Sequence, residues 1–210
     1  MPTDDQLRDD GLAPKGQGRI LVLGCGALAR EILAVTRQFD HIDLHCLPAI
    51  FHNHPEKIVP AVREAVAGAR EYDRIFLAYA DCGTGGQLQA VADELGIEMM
   101  PGPHCYAFYQ GTDDFMGNVD DEFTSFYLTD FLVRQFDAFV WKPLGLDRHP
   151  DLRDAYFGNY EKLVYQAQTD DPQLLEKARE CADRLGLEFE HRVTGLGDLE
   201  SALLALGKRN

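Results

Sequence analysis

Short apolar runs alternate with helix-like patterns along most of this chain, and this alternation constrains the fold more than any other feature. The run from Arg19 to Leu23 is followed by ALAREILAVTRQF, whose apolar residues have helical spacing. IDLHCL with PEKIVPAVREAVAGAREY, RIFLAYA with GGQLQAVADELG, and then IEMMPG continue the pattern. Strands that alternate with helices favour a parallel sheet covered by helices on both faces.

The segment from His104 to about Tyr160 interrupts the alternation, because it is rich in aromatic residues and mostly helical in pattern. Strand and helix patterns resume in KLVYQAQ, DPQLLEKARECADRLG, LEFEHRV and GDLESALLAL. We therefore predict one doubly wound α/β domain over residues 19–210, with a mostly parallel sheet of about six strands. The insertion over about residues 104–160 is expected to cover the carboxyl edge of the sheet, and the acidic residues 1–18 to form a disordered tail.

Charge and hydropathy argue against several classes of partner. The formal net charge is −15, whereas a protein that grips nucleic acid needs clustered Lys and Arg to neutralise phosphates. No apolar run approaches the roughly 20 residues that span a bilayer, and the stretch MPTDDQLRDDGLAPKGQG is acidic rather than a basic leader. We expect a cytoplasmic protein that acts on a small-molecule substrate, with no nucleic-acid or membrane partner.

Four of the five cysteines follow predicted strands. Cys25 follows the first strand, Cys46 ends the second, Cys82 follows the third, and Cys105, directly after His104, follows the fourth. Because parallel strands end at the same edge of a sheet, we expect these thiols to converge there, where open α/β folds bind their ligands. The fifth cysteine falls inside a predicted helix.

A cluster of thiols beside an imidazole has the chemistry of a metal centre. Soft thiolates with a histidine suit zinc or iron, and three protein ligands with one open position make a catalytic site. We predict Cys82 and Cys105 as ligands, with Cys25 or His104 completing the set and Cys46 as a further candidate.

Two other groups are candidates for catalysis at the same edge. Asp81 is expected to act as an acid or base or to support a ligand, and His104 is a candidate for proton transfer. His52 and His54 precede the second helix, where they either supply ligands or belong to a helix cap centred on Asn53.

Two alternatives to a metal centre stay open at this point. Cysteine is among the most often buried residues, so these thiols can be small residues in tight turns without any chemistry. Alternatively, two cysteines can flank a substrate carbon as acid and base in a metal-free racemase or isomerase, with a thiol pKa lowered at a helix N-terminus.

The stretch DCGTGG, which begins at residue 81, is predicted to be a strand-to-helix turn that presents the Cys82 thiol. It lacks the Lys that a Walker-type loop places on terminal phosphates. Backbone N–H groups of Gly83, Thr84, Gly85 and Gly86 are candidates for binding a small anion, because the turn opens a helix.

A second glycine motif, from Gly24 to Ala29, matches the G-x-G-x-x-A dinucleotide fingerprint. That fingerprint also needs an acidic side chain near the end of the second strand, to hold the ribose. Here the second strand ends in His45, Cys46, Leu47 and Pro48, so the sequence argues against a dinucleotide site.

The strings DCGTGG, PGPHCYAFYQG, FYLTDFL and GLDRHPDLRDAYFGNY carry a family resemblance. Together they resemble the domain-of-unknown-function family 1638, over nearly all of residues 19–199. The resemblance implies no particular reaction. It does imply a setting, because the chain is similar to proteins encoded beside corrinoid-dependent methyltransferases of the trimethylamine and glycine-betaine type.

The resemblance and the thiol cluster together give a functional expectation. We expect a zinc- or iron-dependent enzyme of methyl-group metabolism that uses the corrinoid only indirectly. The alternative that the resemblance leaves open is a non-catalytic accessory protein that binds a corrinoid protein or a methyltransferase.

Overall fold

The computed structural model describes residues 1–117 and 124–208. Within them, the strands in chain order are β1 (Ile20–Cys25), β2 (Ile42–Leu47), β3 (Arg74–Ala78), β4 (Glu98–Met99), β5 (Ser125–Thr129), β6 (Lys162–Ala167) and β7 (Glu188–Val193). The α-helices are α1 (Asp4–Asp9), α2 (Ala29–Thr36), α3 (Ile58–Gly68), α4 (Gln87–Leu95), α5 (Cys105–Gln110), α6 (Thr112–Gly117), α7 (Asp130–Arg134), α8 (Arg153–Phe157), α9 (Pro172–Leu185) and α10 (Gly197–Gly207). Short 3₁₀ segments lie at Gly26–Leu28, Ala49–Asn53, Pro55–Lys57 and Pro150–Leu152, and a π-helical turn at Asp137–Trp141.

Contacts divide the chain into two compact units. The first contains Met1–Phe108 and the segment from Gly197 onward, and the second is Tyr109–Leu196. The protein is therefore a mixed α/β protein with one parallel sheet in each unit. No helix in the described ranges combines the length and the apolar character needed to cross a membrane.

The first sheet has the strand order β2-β1-β3-β4, and all of its pairings are parallel. Ile20 of β1 lies opposite Ile42 of β2 on one side and Arg74 of β3 on the other. All six residues of β1 are buried, as expected for a central strand of a parallel sheet. The ends of β1 and β3 therefore lie side by side.

The second sheet has the order β5-β6-β7, again with parallel pairing. The carboxylate of Asp130, at the end of β5, is 1% exposed and ties β5 to β6. It accepts hydrogen bonds from the Tyr165 hydroxyl at 2.8 Å, the Gln168 amide at 3.0 Å and the Thr169 hydroxyl at 2.5 Å. Asp130 falls in the family-like string FYLTDFL, so that part of the string has a structural role.

The predicted single sheet of about six strands is instead two separate sheets of four and three strands. The difference arises in the predicted helical insertion, about residues 104–160, which contains β5. A short apolar run such as SFYLT cannot be assigned to helix or strand by periodicity alone, and here pairing with β6 decides for the strand. Residues 118–123 of the insertion lie outside the described residues.

Residues 3–12, predicted to lie in a disordered tail, instead pack on the first sheet. Thr3 and Gln6 form a reciprocal capping box at the start of α1, and the Leu7 side chain is 0% exposed. Leu12 then pairs with Cys46 on the open edge of β2, through two backbone hydrogen bonds of 2.8 Å. One buried leucine, one strand bridge and an ion pair of 2.9 Å between Asp4 and Arg30 hold an otherwise polar segment.

Replacing Leu7 with Ala is expected to destabilise the protein by about 2–5 kcal/mol, because it empties a filled core position. Urea unfolding of the full chain measures the change. Lys15→Ala is the matched control, since Lys15 is exposed in the same N-terminal segment and should change stability by less than about 0.5 kcal/mol. An unchanged unfolding midpoint in Leu7→Ala would mean that the segment is disordered in solution.

Candidate thiol site

The turn after β3 and the segment before α5 bring two cysteines together. The Sγ atoms of Cys82 and Cys105 are 3.4 Å apart, and both residues are partly accessible to solvent. Two backbone hydrogen bonds hold them in place, from the Asp81 amide to the Gly102 carbonyl and from the Cys82 amide to the Pro103 carbonyl, each 3.1 Å long. The pair is thus fixed by main-chain contacts rather than by the thiols themselves.

Cys82 has an unusual backbone conformation. Its φ is +48°, which makes it the one non-glycine residue with positive φ in the part of the chain that the structure describes. A non-glycine residue in the left-handed region is uncommon and carries a steric penalty, and such residues cluster at functional sites. The conformation follows from the tight turn, where Gly83, Gly85 and Gly86 also have positive φ.

The two thiols of the pair differ in acidity. The hydrogen bond from Cys105 lowers the pKa of Cys82 and outweighs the opposing effect of burial. The same hydrogen bond, together with burial, raises the pKa of Cys105 well above its usual value. Cys82 is therefore the first thiolate to form, and Cys105 keeps its proton and donates it to the Cys82 sulfur.

The carboxylate of Asp81 organises the DCGTGG turn. It accepts hydrogen bonds from the Thr84 hydroxyl at 2.8 Å, the Gly86 amide at 2.7 Å and the Gly85 amide at 3.1 Å. Burial alone would raise the pKa of Asp81, but these hydrogen bonds and the nearby His104 lower it. The anion that the two glycine N–H groups bind is thus a carboxylate of the chain itself, which also makes Asp81 a poor proton donor at neutral pH.

Tyr79 lies beneath the thiols, one residue past the end of β3, and its side chain is 1% exposed. Its hydroxyl is close enough to Cys25 for the two groups to affect each other's pKa, but it makes no hydrogen bond of full geometry with any described residue. Burial and the neighbouring thiols Cys25, Cys82 and Cys105 raise the pKa of Tyr79, so the phenol stays protonated. A buried O–H donor therefore faces a group of sulfur atoms.

Cys25 and Cys46 are buried below the accessible pair. Burial and the proximity of Cys82 raise the pKa of Cys25 to about 12, while the Ala27 amide and Tyr79 oppose the change. Burial, Cys25 and the buried carboxylate of Glu31 raise the pKa of Cys46. Both side chains are neutral thiols at physiological pH, so neither is a ready ligand or nucleophile in the resting molecule.

Two imidazoles lie near the pair. Burial lowers the pKa of His104, although Asp81 opposes the change, and the ring stacks on Tyr106 with centroids 4.9 Å apart. Burial and the proximity of His104 lower the pKa of His52. Both rings are therefore neutral at pH 7. Asn53 is predicted to cap the helix that follows. In the structure, His54 is the N-cap residue of the 3₁₀ turn Pro55–Lys57, and its side chain makes no capping hydrogen bond.

The structure does not assemble the full predicted ligand set. Across residues 1–117 and 124–208, no group of three or more His, Cys, Asp or Glu side chains is arranged to hold a metal ion. The fold brings Cys82 and Cys105 into contact, with Cys25 and His104 nearby. Cys46 is buried next to Cys25. Sequence reasoning did not single out Tyr79, which lies in the apolar run RIFLAYA, or Glu31, which lies in the helix-like stretch ALAREILAVTRQF.

The glycine fingerprint after β1 has a packing role. A Cβ atom on Gly26 would lie 2.2 Å from the Leu7 carbonyl oxygen, and one on Gly24 would lie 2.9 Å from the Ile32 side chain. The N-terminal segment thus occupies the space over Gly26 that a dinucleotide pyrophosphate would approach. This agrees with the missing acidic residue at the end of β2.

A parallel α/β fold with an accessible thiol pair defines the class of this protein, and comparison with known families places it more closely. The model of the family described as "Protein of unknown function (DUF1638)" matches residues 46–203, which is more than half of the chain. The protein therefore belongs to that family. No curated protein and no solved structure matches the chain. Cys82, His104 and Cys105 lie inside the matched residues, and Cys25 lies before them.

Replacing Asp81 with Ala is expected to destabilise the protein by about 1–3 kcal/mol at pH 7, because three donors lose a charged acceptor. The folded-state pKa of Asp81 is lowered, so its stabilisation is present above the ordinary carboxyl pKa and is lost as pH falls through the folded value. Urea unfolding should therefore show a difference that shrinks below about pH 4. Asp40→Ala, at an exposed position of the same unit, is the control, and an equal effect there would contradict the assignment.

Two tyrosines of the first unit should respond in opposite ways to loss of the hydroxyl. Tyr72→Phe removes a hydrogen bond of 2.8 Å to buried Asp43 and should destabilise the protein by about 1 kcal/mol or more. Tyr79→Phe removes a buried hydroxyl that lacks a full hydrogen bond to the described residues, so it should be neutral or stabilising. A loss of stability in Tyr79→Phe as large as in Tyr72→Phe would show that the Tyr79 hydroxyl is a structural group.

Proposed function

We propose that this protein is an enzyme whose reactive centre is the Cys82–Cys105 pair, and that the pair holds a zinc or iron ion for chemistry on a methyl group. The observation that carries the proposal is the 3.4 Å separation of the two Sγ atoms, which belong to the two partly exposed cysteines of the chain. The other three cysteines are buried, so this is the place where the chain offers sulfur to a ligand.

The separation suits two ligands of one metal ion. Thiolates on a tetrahedral zinc, each about 2.3 Å from it, are roughly 3.8 Å apart, so the pair needs to open by only a few tenths of an ångström. The lowered pKa of Cys82 supports the proposal as well, because metals bind the thiolate form of cysteine.

A two-sulfur site leaves coordination positions to fill. Cys25 and His104 are the candidates for a third ligand, Cys25 because it interacts with both sulfurs of the pair and His104 because its imidazole is neutral and adjacent in sequence. Either one has to shift toward the pair, since no group of three is preassembled in the described residues. When bound, such a metal supplies a Lewis acid that lowers the pKa of a sulfur or nitrogen acceptor.

The surrounding residues divide the remaining tasks. Asp81 holds the turn and keeps a negative charge near His104, although burial outweighs this charge and leaves the imidazole neutral. The Tyr79 hydroxyl supplies a proton-bearing donor to a sulfur atom that carries negative charge. Asp81 thus positions the turn and Tyr79 offers a hydrogen-bond donor, at a site whose substrate is a small molecule.

Methyl-group metabolism is the proposed setting because of the family. The resemblance to proteins encoded beside corrinoid-dependent methyltransferases supports a cytoplasmic role next to a corrinoid protein or a methyltransferase, with only indirect use of the corrinoid. A two-base racemase is less well supported, because sulfurs 3.4 Å apart leave no room for a substrate carbon between them.

Elemental analysis of untagged protein, purified without chelator or added metal, tests the proposal. The wild type should contain close to one zinc or iron ion per chain, and Cys82→Ser and Cys105→Ser should each lose it. Cys181→Ser is the matched control, because Cys181 is a buried cysteine of helix α9 and should retain the metal. A folded, metal-free wild type would overturn the metal centre, and stable binding of that protein to a corrinoid protein would then favour the accessory role.

A further inference from the structure

The two partly exposed cysteines of the first unit form a pair that is asymmetric in position. Cys82 and Cys105 are half-buried, whereas the other three cysteines are buried. Cys82 lies in a turn with left-handed backbone, whereas Cys105 is the first residue of helix α5. Backbone hydrogen bonds to Gly102 and Pro103 anchor the turn that carries Cys82 to the segment that precedes Cys105. The two sulfur atoms therefore lie 3.4 Å apart without a covalent bond between them.

We infer that Cys82 and Cys105 form a redox-active dithiol that reduces external disulfides, a further activity that needs no metal. The inference goes beyond the proposed function, although both use the same two sulfur atoms. Metal binding and disulfide formation exclude each other at this site, because a sulfur bonded to its partner has no thiolate to give to a metal.

The geometry is close to that of the oxidised pair. A disulfide bond is about 2.0 Å long, so the sulfurs have to approach by roughly 1.4 Å from their separation of 3.4 Å. Rotation of a thiol about its side-chain bonds covers such a distance. All five cysteines lie in the described residues, and among them Cys82 and Cys105 are the two whose sulfur atoms are in direct contact.

The position of each cysteine assigns it one role in exchange. Cys82 lies in a turn outside the helices and strands, so it is the sulfur that attacks the external disulfide. Cys105 is the first residue of helix α5 with its sulfur 3.4 Å away, so it is the resolving sulfur that attacks Cys82 once an adduct has formed.

The reaction proceeds in two exchanges. Cys82 releases its proton to solvent and attacks one sulfur of an external disulfide, so that a new S–S bond forms, the old one breaks and one thiolate leaves. That thiolate takes the proton of Cys105. The Cys105 thiolate attacks the Cys82 sulfur, the Cys82–Cys105 bond forms, and the second leaving thiolate takes a proton from solvent. The protein dithiol is oxidised and the external disulfide is reduced to two thiols.

The experiment uses the full chain, reduced and stripped of metal by a chelator, and incubated with oxidised glutathione under argon. Intact mass and free-thiol counts are measured after quenching with acid. The wild type, with five thiols, should lose two of them and two hydrogen atoms in mass, without retaining a glutathione adduct. Cys105→Ser should retain one glutathione on Cys82, because the resolving thiol is gone.

Two variants separate the specific pair from general thiol oxidation. Cys82→Ser should remain fully reduced over the period in which the wild type is converted, while Cys181→Ser should still form the internal disulfide. Circular dichroism confirms that each variant is folded. A folded wild type that keeps all five thiols, or that accumulates a stable glutathione adduct, would overturn the inference.

The outcome is independent of the metal proposal. Metal content is read on protein purified without chelator, whereas disulfide exchange is read on metal-free protein. If the protein contains metal but does not form the disulfide, the result supports only the metal-dependent function. If it forms the disulfide but contains no metal, the result supports only the dithiol activity.

Discussion

The site depends on the parallel pairing of β1 with β2 on one side and with β3 on the other. Because the strands run in one direction, the chain leaves β1 and β3 at the same edge, with Cys25 at the last position of β1 and Tyr79 just past β3. The turn after β3 then places Cys82 beside the segment that follows β4. Strands in alternating directions would send these residues to opposite ends of the sheet.

At this edge of the sheet, Asp81 supports the turn and Cys82 is the reactive group. The carboxylate of Asp81 is used internally, on a hydroxyl and two backbone amides of its own turn. The neighbouring thiol of Cys82 obtains its lowered pKa from the hydrogen bond with Cys105, while the charge of Asp81 opposes that change. This arrangement keeps the turn rigid while one sulfur remains available for bonding to a metal or to another sulfur.

Sequence reasoning reached part of this site for sound physical reasons. The alternation of strands and helices indicated a parallel sheet, and parallel strands bring their carboxyl ends together, which is why Cys82 and Cys105 could be paired across 23 residues. It could not tell that Cys25 and Cys46 are buried, because their burial depends on contacts distant in sequence, such as Leu7 against Gly26 and the Leu12 bridge to Cys46. It also assigned Asp81 to catalysis, since nothing in DCGTGG reveals that the carboxylate folds back on its own turn.

The sequence by itself determined the class of the fold, the edge at which the thiols gather and the acidic character of the surface, because these follow from local periodicity and composition. The tertiary structure decided that there are two sheets, that residues 3–12 are ordered, and that two thiols rather than four are accessible. These features depend on contacts between residues far apart in the chain, such as Leu12 with Cys46 and β5 with β6, and no local pattern specifies which of several possible partners a strand will find.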